Sequence, residues 1–141
     1  MQLSVEQPKP RILIADDDPV IRHLVCSIVK AEGYEVVVAE DGRDALKILQ
    51  VDTNFNGAIF DMVMPHIEGI DIIRHMKTEK RFMRIPVMMM TSEQDIHLVN
   101  KTFAAGATLF LRKPFTQVQL VNMLHTLVSQ SVSNDVPSNS K

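Results

Sequence analysis

The sequence predicts a doubly wound α/β domain, a (βα)5 three-layer sandwich with a parallel five-stranded sheet between two layers of helices. Three observations carry this. Apolar runs of strand length alternate five times with segments of helical period. The runs are nearly continuous, so the sheet they form needs cover on both faces. Right-handed crossovers then leave few topologies, and 2-1-3-4-5 is the common order for five such strands, with the switch point between strands 1 and 3.

Each element has a local reason. A polar leader over residues 1–10 is closed by Pro8 and Pro10. Ile12-Leu13-Ile14-Ala15 is a buried strand that stops at Asp16-Asp17-Asp18. Asp18-Pro19 supplies an N-cap and a first-turn proline, and Ile21, Leu24, Val25, Ile28 and Val29 follow an amphipathic stripe ended by Gly33. Cys26 on that helix reads as a small core residue.

Val36 to Ala39 is the second strand, followed by Asp41 as a cap and a helix carrying Ala45, Leu46, Ile48 and Leu49 inward. Asn54 to Gly57 is a turn, Ala58-Ile59-Phe60 the third strand, and Gly69 to Lys77 a helix presenting Ile70, Ile73 and Met76. Ile85 to Met90 is the fourth strand, with Pro86 near its start and Met88, Met89 and Met90 read as buried. Ser92-Glu93-Gln94-Asp95 has the form of a capping box, and Ile96, Val99 and Phe103 continue at helical spacing to Gly106. Thr108 to Leu111 is the fifth strand, and Leu120, Val121, Leu124, Leu127 and Val128 line the last helix. Residues 131–141 are too polar to bury and read as a disordered tail or truncated linker, leaving residues 11–130 as the domain.

Composition narrows the function classes. A chain of 141 residues suits one compact domain that needs neither disulfide nor structural metal. A single cysteine allows no internal bridge, no Cys/His spacing resembles a zinc site, and the five histidines are dispersed, so the chain reads as cytoplasmic. The formal charge is -2 with Lys and Arg scattered, which argues against direct binding of nucleic acid or anionic lipid. No segment approaches the ~20 apolar residues of a membrane span, and the first residues lack the basic and apolar regions of a signal peptide.

The chemistry concentrates where strands end. In Ile59-Phe60-Asp61-Met62-Val63-Met64-Pro65 a carboxylate closes an apolar run and is followed by a loop-forming Pro and then Gly69. Taken alone, Asp61 reads as a site residue at the carboxyl edge of the sheet or as a turn aspartate. The 2-1-3-4-5 order brings Asp16 and Asp17 beside Asp61, with Thr91 ending strand 4 and Lys113 following strand 5 on the same edge. Three crowded carboxylates repel unless a cation joins them, and oxygen-only ligation with open positions suits Mg²⁺. A carboxylate also accepts a phosphoryl group as an acyl phosphate. Asp61 is therefore expected as the acceptor, Asp17 as the principal metal carboxylate and Asp16 as a second or water-mediated ligand. Thr91 would be the hydroxyl on a transferred oxygen and Lys113 the counter-charge.

Together, Ile12 to Pro19, Asp61 to Pro65 with Gly69, Met90-Thr91-Ser92, Gly106-Ala107 and Lys113-Pro114-Phe115 resemble the receiver domain of two-component response regulators, over roughly residues 11 to 129. The resemblance implies a flavodoxin-like fold and a phosphoryl donor that is a sensor histidine kinase or a histidine phosphotransfer protein. It also implies that the backbone carbonyl of Val63 completes the metal shell and that Thr91 acts with an aromatic switch, here Phe110, which lacks a tyrosine hydroxyl. Positions two beyond Asp61 and two beyond Thr91, Val63 and Glu93, are implied to flank the approach of hydrolytic water. Glu68 stands where the family usually has aspartate, and no catalytic role is assigned to it.

Two rival readings belong to other classes. Asp16-Asp17-Asp18-Pro19-Val20 also fits the Asp-x-Asp-x-Val pattern of haloacid dehalogenase-type phosphatases, but the only acid after Lys113 is Asp135 and there is no room for a cap domain. The other rival is a receiver-like fold that binds a partner without phosphorylation.

Overall fold

The computed structural model describes residues 8–92, 94 and 96–135. Five strands, β1 (Arg11–Ala15), β2 (Glu35–Ala39), β3 (Gly57–Asp61), β4 (Val87–Thr91) and β5 (Leu109–Arg112), alternate with five helices. The helices are α1 (Pro19–Ala31), α2 (Gly42–Val51), α3 (Gly69–Lys77), α4 (Ile96–Ala105) and α5 (Gln117–Asp135). All strand pairs are parallel and the order is β2-β1-β3-β4-β5, as the apolar runs and crossover handedness predict.

The period of two along each strand sorts the core into two layers. Leu13, Ala15, Phe60, Val87 and Met89 point to one face, where α2 and α3 contribute Ala45, Leu49, Ile72, Ile73 and Met76. Ile12, Ile14, Ile59, Met88 and Met90 point to the other, under Val25, Ile28 and Val29 of α1 and Leu120, Leu124 and Leu127 of α5. Caps fix the helix starts: Asp18 accepts from the Val20 N–H at 2.9 Å and Asp41 from the Asp44 N–H at 2.9 Å. Gly33, at φ 92, makes the left-handed exit from α1.

Arg11 ties the amino edge of the sheet together. Its guanidinium donates to both carboxylate oxygens of Asp52 at 3.0 and 2.9 Å, to Glu35 at 3.0 Å and to the Asn54 carbonyl at 2.8 Å, and lies 4.9 Å from the Phe55 ring centroid. These contacts join β1, β2 and the connection from α2 to β3 at the edge opposite Asp61.

Three expectations are corrected by packing. Leu24 is 46% exposed, because α1 meets the sheet through the narrower stripe of Val25, Cys26, Ile28 and Val29. Ile96 and Phe103 are also exposed, since α4 turns Leu98 and Thr102 inward and Thr102 satisfies its hydroxyl on the Leu98 carbonyl at 2.8 Å. The last helix does not stop before residue 131: α5 continues to Asp135, with Ser131 buried and Gln130 accepting from the Thr108 hydroxyl at 2.6 Å. Composition alone assigns this polar stretch to a tail, whereas the helix runs on through it beyond the tertiary contact at Gln130. Residues 1–7 and 136–141, and the Glu93 and Asp95 positions of the expected capping box, lie outside the described residues. Among the described residues no helix is long and apolar enough to cross a membrane.

Candidate functional site

The carboxyl edge of the sheet gathers the acidic residues. β1 ends at Ala15, so Asp16 is the first residue beyond it, and the turn into α1 closes with Asp16 Oδ1 accepting from the Asp18 N–H at 2.9 Å. That turn buries Asp16 completely and leaves Asp17 exposed. Asp61 is the last residue of β3 and is 8% exposed. Its register is held on one side by β4, where the Met62 N–H donates to the Met90 carbonyl at 2.9 Å. On the other side α3 begins so near that a Cβ on Gly69 would stand 2.6 Å from the Asp61 carbonyl oxygen.

Lys113 is brought in by β5. Its N–H donates to the Thr91 carbonyl at 2.7 Å, and a cis peptide bond to Pro114 follows. Its ammonium then lies 3.3 Å from Asp16 Oδ2 and 3.4 Å from Asp61 Oδ1. Thr91 is buried at the end of β4 on the same edge. The Val63 N–H reaches Asp61 Oδ1 at 3.4 Å, and Val63 itself is 60% exposed.

The electrostatics follow from this crowding. Carboxylate oxygens of Asp16, Asp17 and Asp61 all lie within 4.8 Å of one another. Burial, joined by the charge of Asp16, pushes the Asp61 carboxyl up to about 6 against the pull of Lys113 and the Val63 N–H. The Lys113 ammonium meets two of the three clustered carboxylates, so negative charge is left over, and every side-chain ligand atom of the cluster is oxygen. Such a set fits a hard divalent cation that keeps some of its water.

Of the residues singled out in the sequence, Asp16, Asp17, Asp61, Thr91, Lys113 and Val63 converge on this edge. Phe110 lies one face away, in the middle of β5, with its ring centroid 4.7 Å from that of Phe103 on α4. Asp18 is the helix cap, and Glu93 lies outside the described residues. Sequence reasoning missed Arg22, whose guanidinium donates to the Asp16 carbonyl at 2.8 Å and so fixes the β1–α1 turn from the first turns of the helix. An arginine on a solvated helix face carries no sequence signal for such a contact.

This fold, with an acidic pocket and a lysine at its carboxyl edge, defines a class. The chain belongs to the response regulator receiver domain family, which it matches over residues 12–125. It is 32% identical over 111 residues to the two-component response regulator ORR3 of Oryza sativa subsp. indica, covering 79% of this chain and 85% of that one. It is 27% identical over 125 residues to the response regulator MprA of Mycolicibacterium vanbaalenii, covering 89% of this chain and 53% of that one. Among solved structures it resembles the chemotaxis response regulator CheY4 of Vibrio cholerae, with TM-score 0.79 and 31% identity over 84% of this chain and 98% of that one. A CheY-like receiver domain protein from Methanospirillum hungatei gives TM-score 0.80 and 27% identity, covering 89% of this chain and 98% of that one. Receiver domains are generally signalling phosphoacceptors rather than enzymes, and the acidic pocket with Lys113 accords with that role.

Proposed function

We propose that this protein is a phosphoacceptor switch in which Asp61 takes a phosphoryl group from the phosphohistidine of a sensor kinase or a histidine phosphotransfer protein. The observation that carries this is the Asp61 carboxylate at the mouth of an acidic pocket with the Lys113 ammonium 3.4 Å away. An Asp61 oxygen attacks phosphorus, the P–N bond of the donor breaks, and its electron pair returns to the imidazole nitrogen. The product is an acyl phosphate on Asp61.

Asp17, Asp16, Asp61 and the Val63 carbonyl are the groups that would hold Mg²⁺, which when bound supplies charge neutralisation for an incoming phosphoryl oxygen. Lys113 stands ready as the counter-charge for a second oxygen, and the Thr91 hydroxyl is the donor assigned to a third. Phe110 is the residue assigned to report occupancy: its ring, on the strand next to the one that Thr91 ends, packs against Phe103 of α4. Burial of Asp61 and the charge of Asp16 raise its proton affinity, and a bound cation would favour the ionised acceptor.

The test is incubation with a small phosphodonor or with beryllofluoride, followed by mass or fluorine resonance detection. Wild type is expected to be modified only with Mg²⁺ present, and Asp61→Ala not at all. Modification of Asp61→Ala at the wild-type rate would overturn the acceptor assignment, and indifference to chelator would overturn the metal assignment.

A further inference from the structure

We propose that Gly42, on the first turn of α2, is a positioning residue for the Asp61 site, a proposal that rests on the function argued above. Gly42 is buried, and a Cβ built on it would overlap the Ile67 carbonyl oxygen and come within 3.0 Å of the Ile67 carbonyl carbon and Cβ. Ile67 belongs to the loop from residue 62 to 68 that follows Asp61 and carries Val63. The loop therefore rests on the start of α2 at a point where only glycine leaves room.

The two sides of this contact differ in stiffness. The start of α2 is fixed by two side-chain caps: Asp41 accepts from the Asp44 N–H at 2.9 Å, and Asp44 accepts from the Glu40 N–H, just before the cap, at 3.1 Å. Ala45 and Leu49 are wholly buried behind it. Across the contact, the Ile67 N–H donates to the Pro65 carbonyl at 2.8 Å around His66 at φ 72, a three-residue turn of the strained, positive-φ kind. A side chain at position 42 thus displaces the loop rather than the helix.

Displacement of the loop has one consequential route. The far end is held where the Gly69 N–H meets the Met62 carbonyl at 3.3 Å and where Gly69 abuts the Asp61 carbonyl. Between these supports lies Val63, whose N–H reaches the Asp61 carboxylate and whose carbonyl is the ligand assigned above. Relieving the overlap moves Ile67 by about 1 Å, beyond the ~0.5 Å tolerance of a preorganised site. Misplacement on that scale lowers a reaction rate by as much as about 100-fold.

The experiment compares wild type, Gly42→Ala and Arg11→Met, the last a variant destabilised at the opposite edge. Mg²⁺ dissociation constants are read by chemical-shift titration of chelator-treated protein, alongside phosphorylation by a small phosphodonor and thermal midpoints. Gly42→Ala is expected to bind Mg²⁺ about 10-fold more weakly and to be phosphorylated at least that much more slowly, with Arg11→Met like wild type in both. Wild-type Mg²⁺ binding in Gly42→Ala, or an equal loss in Arg11→Met, overturns the proposal. Adding His66→Gly, which lets the turn yield locally, is expected to restore part of the lost affinity. If Gly42→Ala alone does not fold, the double variant is compared with His66→Gly: weaker Mg²⁺ binding in the double variant supports the proposal and equal binding overturns it. Failure of the double variant to fold also overturns it, because the overlap would then be carried by the whole core. Failure of wild type itself to bind Mg²⁺ would strike the functional reading, whereas a normal wild type with a normal Gly42→Ala strikes only this inference.

Discussion

At the scale of single residues, the proposed phosphoacceptor role makes Val63 the position expected to set how long a phosphorylated state lasts. Its N–H lies 3.4 Å from the Asp61 carboxylate, so its side chain projects from backbone that already touches the acceptor. Hydrolysis needs water held in line with phosphorus, and a branched apolar group there neither orients that water nor leaves it free access. Val63→Asn is expected to lose its phosphoryl group about 10-fold faster than wild type, or about 1.4 kcal/mol in barrier height. Phosphate release after removal of the donor measures this, and an unchanged rate would show that water access at residue 63 does not set the lifetime.

Among the elements, the most heavily tied is β1, whose first residue is Arg11. A half-buried guanidinium with a bidentate carboxylate partner is worth more than an exposed ion pair, and Arg11→Met is expected to cost about 1–3 kcal/mol. The Arg11 hydrogen bonds hold the Asp52 carboxyl below its ordinary range. The sign follows: a depressed carboxyl contributes its stability above the unfolded value and loses it as the pH falls through the folded one. Urea unfolding of wild type and Arg11→Met should therefore differ at neutral pH and converge in acid, apart from any packing lost with the side chain. A gap that widened in acid would contradict the assignment. The neighbouring helix α1 shows what a helical pattern leaves undecided. Its apolar stripe includes Leu24, yet Leu24 stays exposed while Cys26 is buried as expected, because only packing against the sheet and α5 settles which edge of the stripe is covered.

Over the whole molecule, the acidic pocket sets function against stability. Three carboxylates within 4.8 Å, two of them buried, destabilise the metal-free fold through their mutual repulsion. In chelator at neutral pH, Asp61→Asn is expected to be more stable than wild type by about 1–2 kcal/mol. Added Mg²⁺ should stabilise wild type by about 2.7 kcal/mol at a hundredfold excess over the dissociation constant, and stabilise Asp61→Asn much less. Thermal melts with and without Mg²⁺ measure both, and an Asp61→Asn variant less stable than wild type would mean that Lys113 already compensates the charge.

By itself the sequence determined the five strands, the five helices and their order, because near-continuous apolar runs, caps and glycines are local signals and crossover handedness is a general rule. It also placed the candidates Asp16, Asp17, Asp61, Thr91 and Lys113 on one edge, since each stands at or just past a strand end, and strand order alone brings those ends together. Tertiary structure decided what depends on facing surfaces. Ile96 and Phe103 are apolar and helical in spacing, yet exposed, because α4 docks through Leu98 and Thr102. Residues 131–135 are mostly polar, yet α5 continues through them to Asp135. Arg22 on the Asp16 carbonyl, six residues away, and Gly42 under the Ile67 carbonyl, in a distant segment, are contacts for which neither composition nor periodicity records which atoms meet.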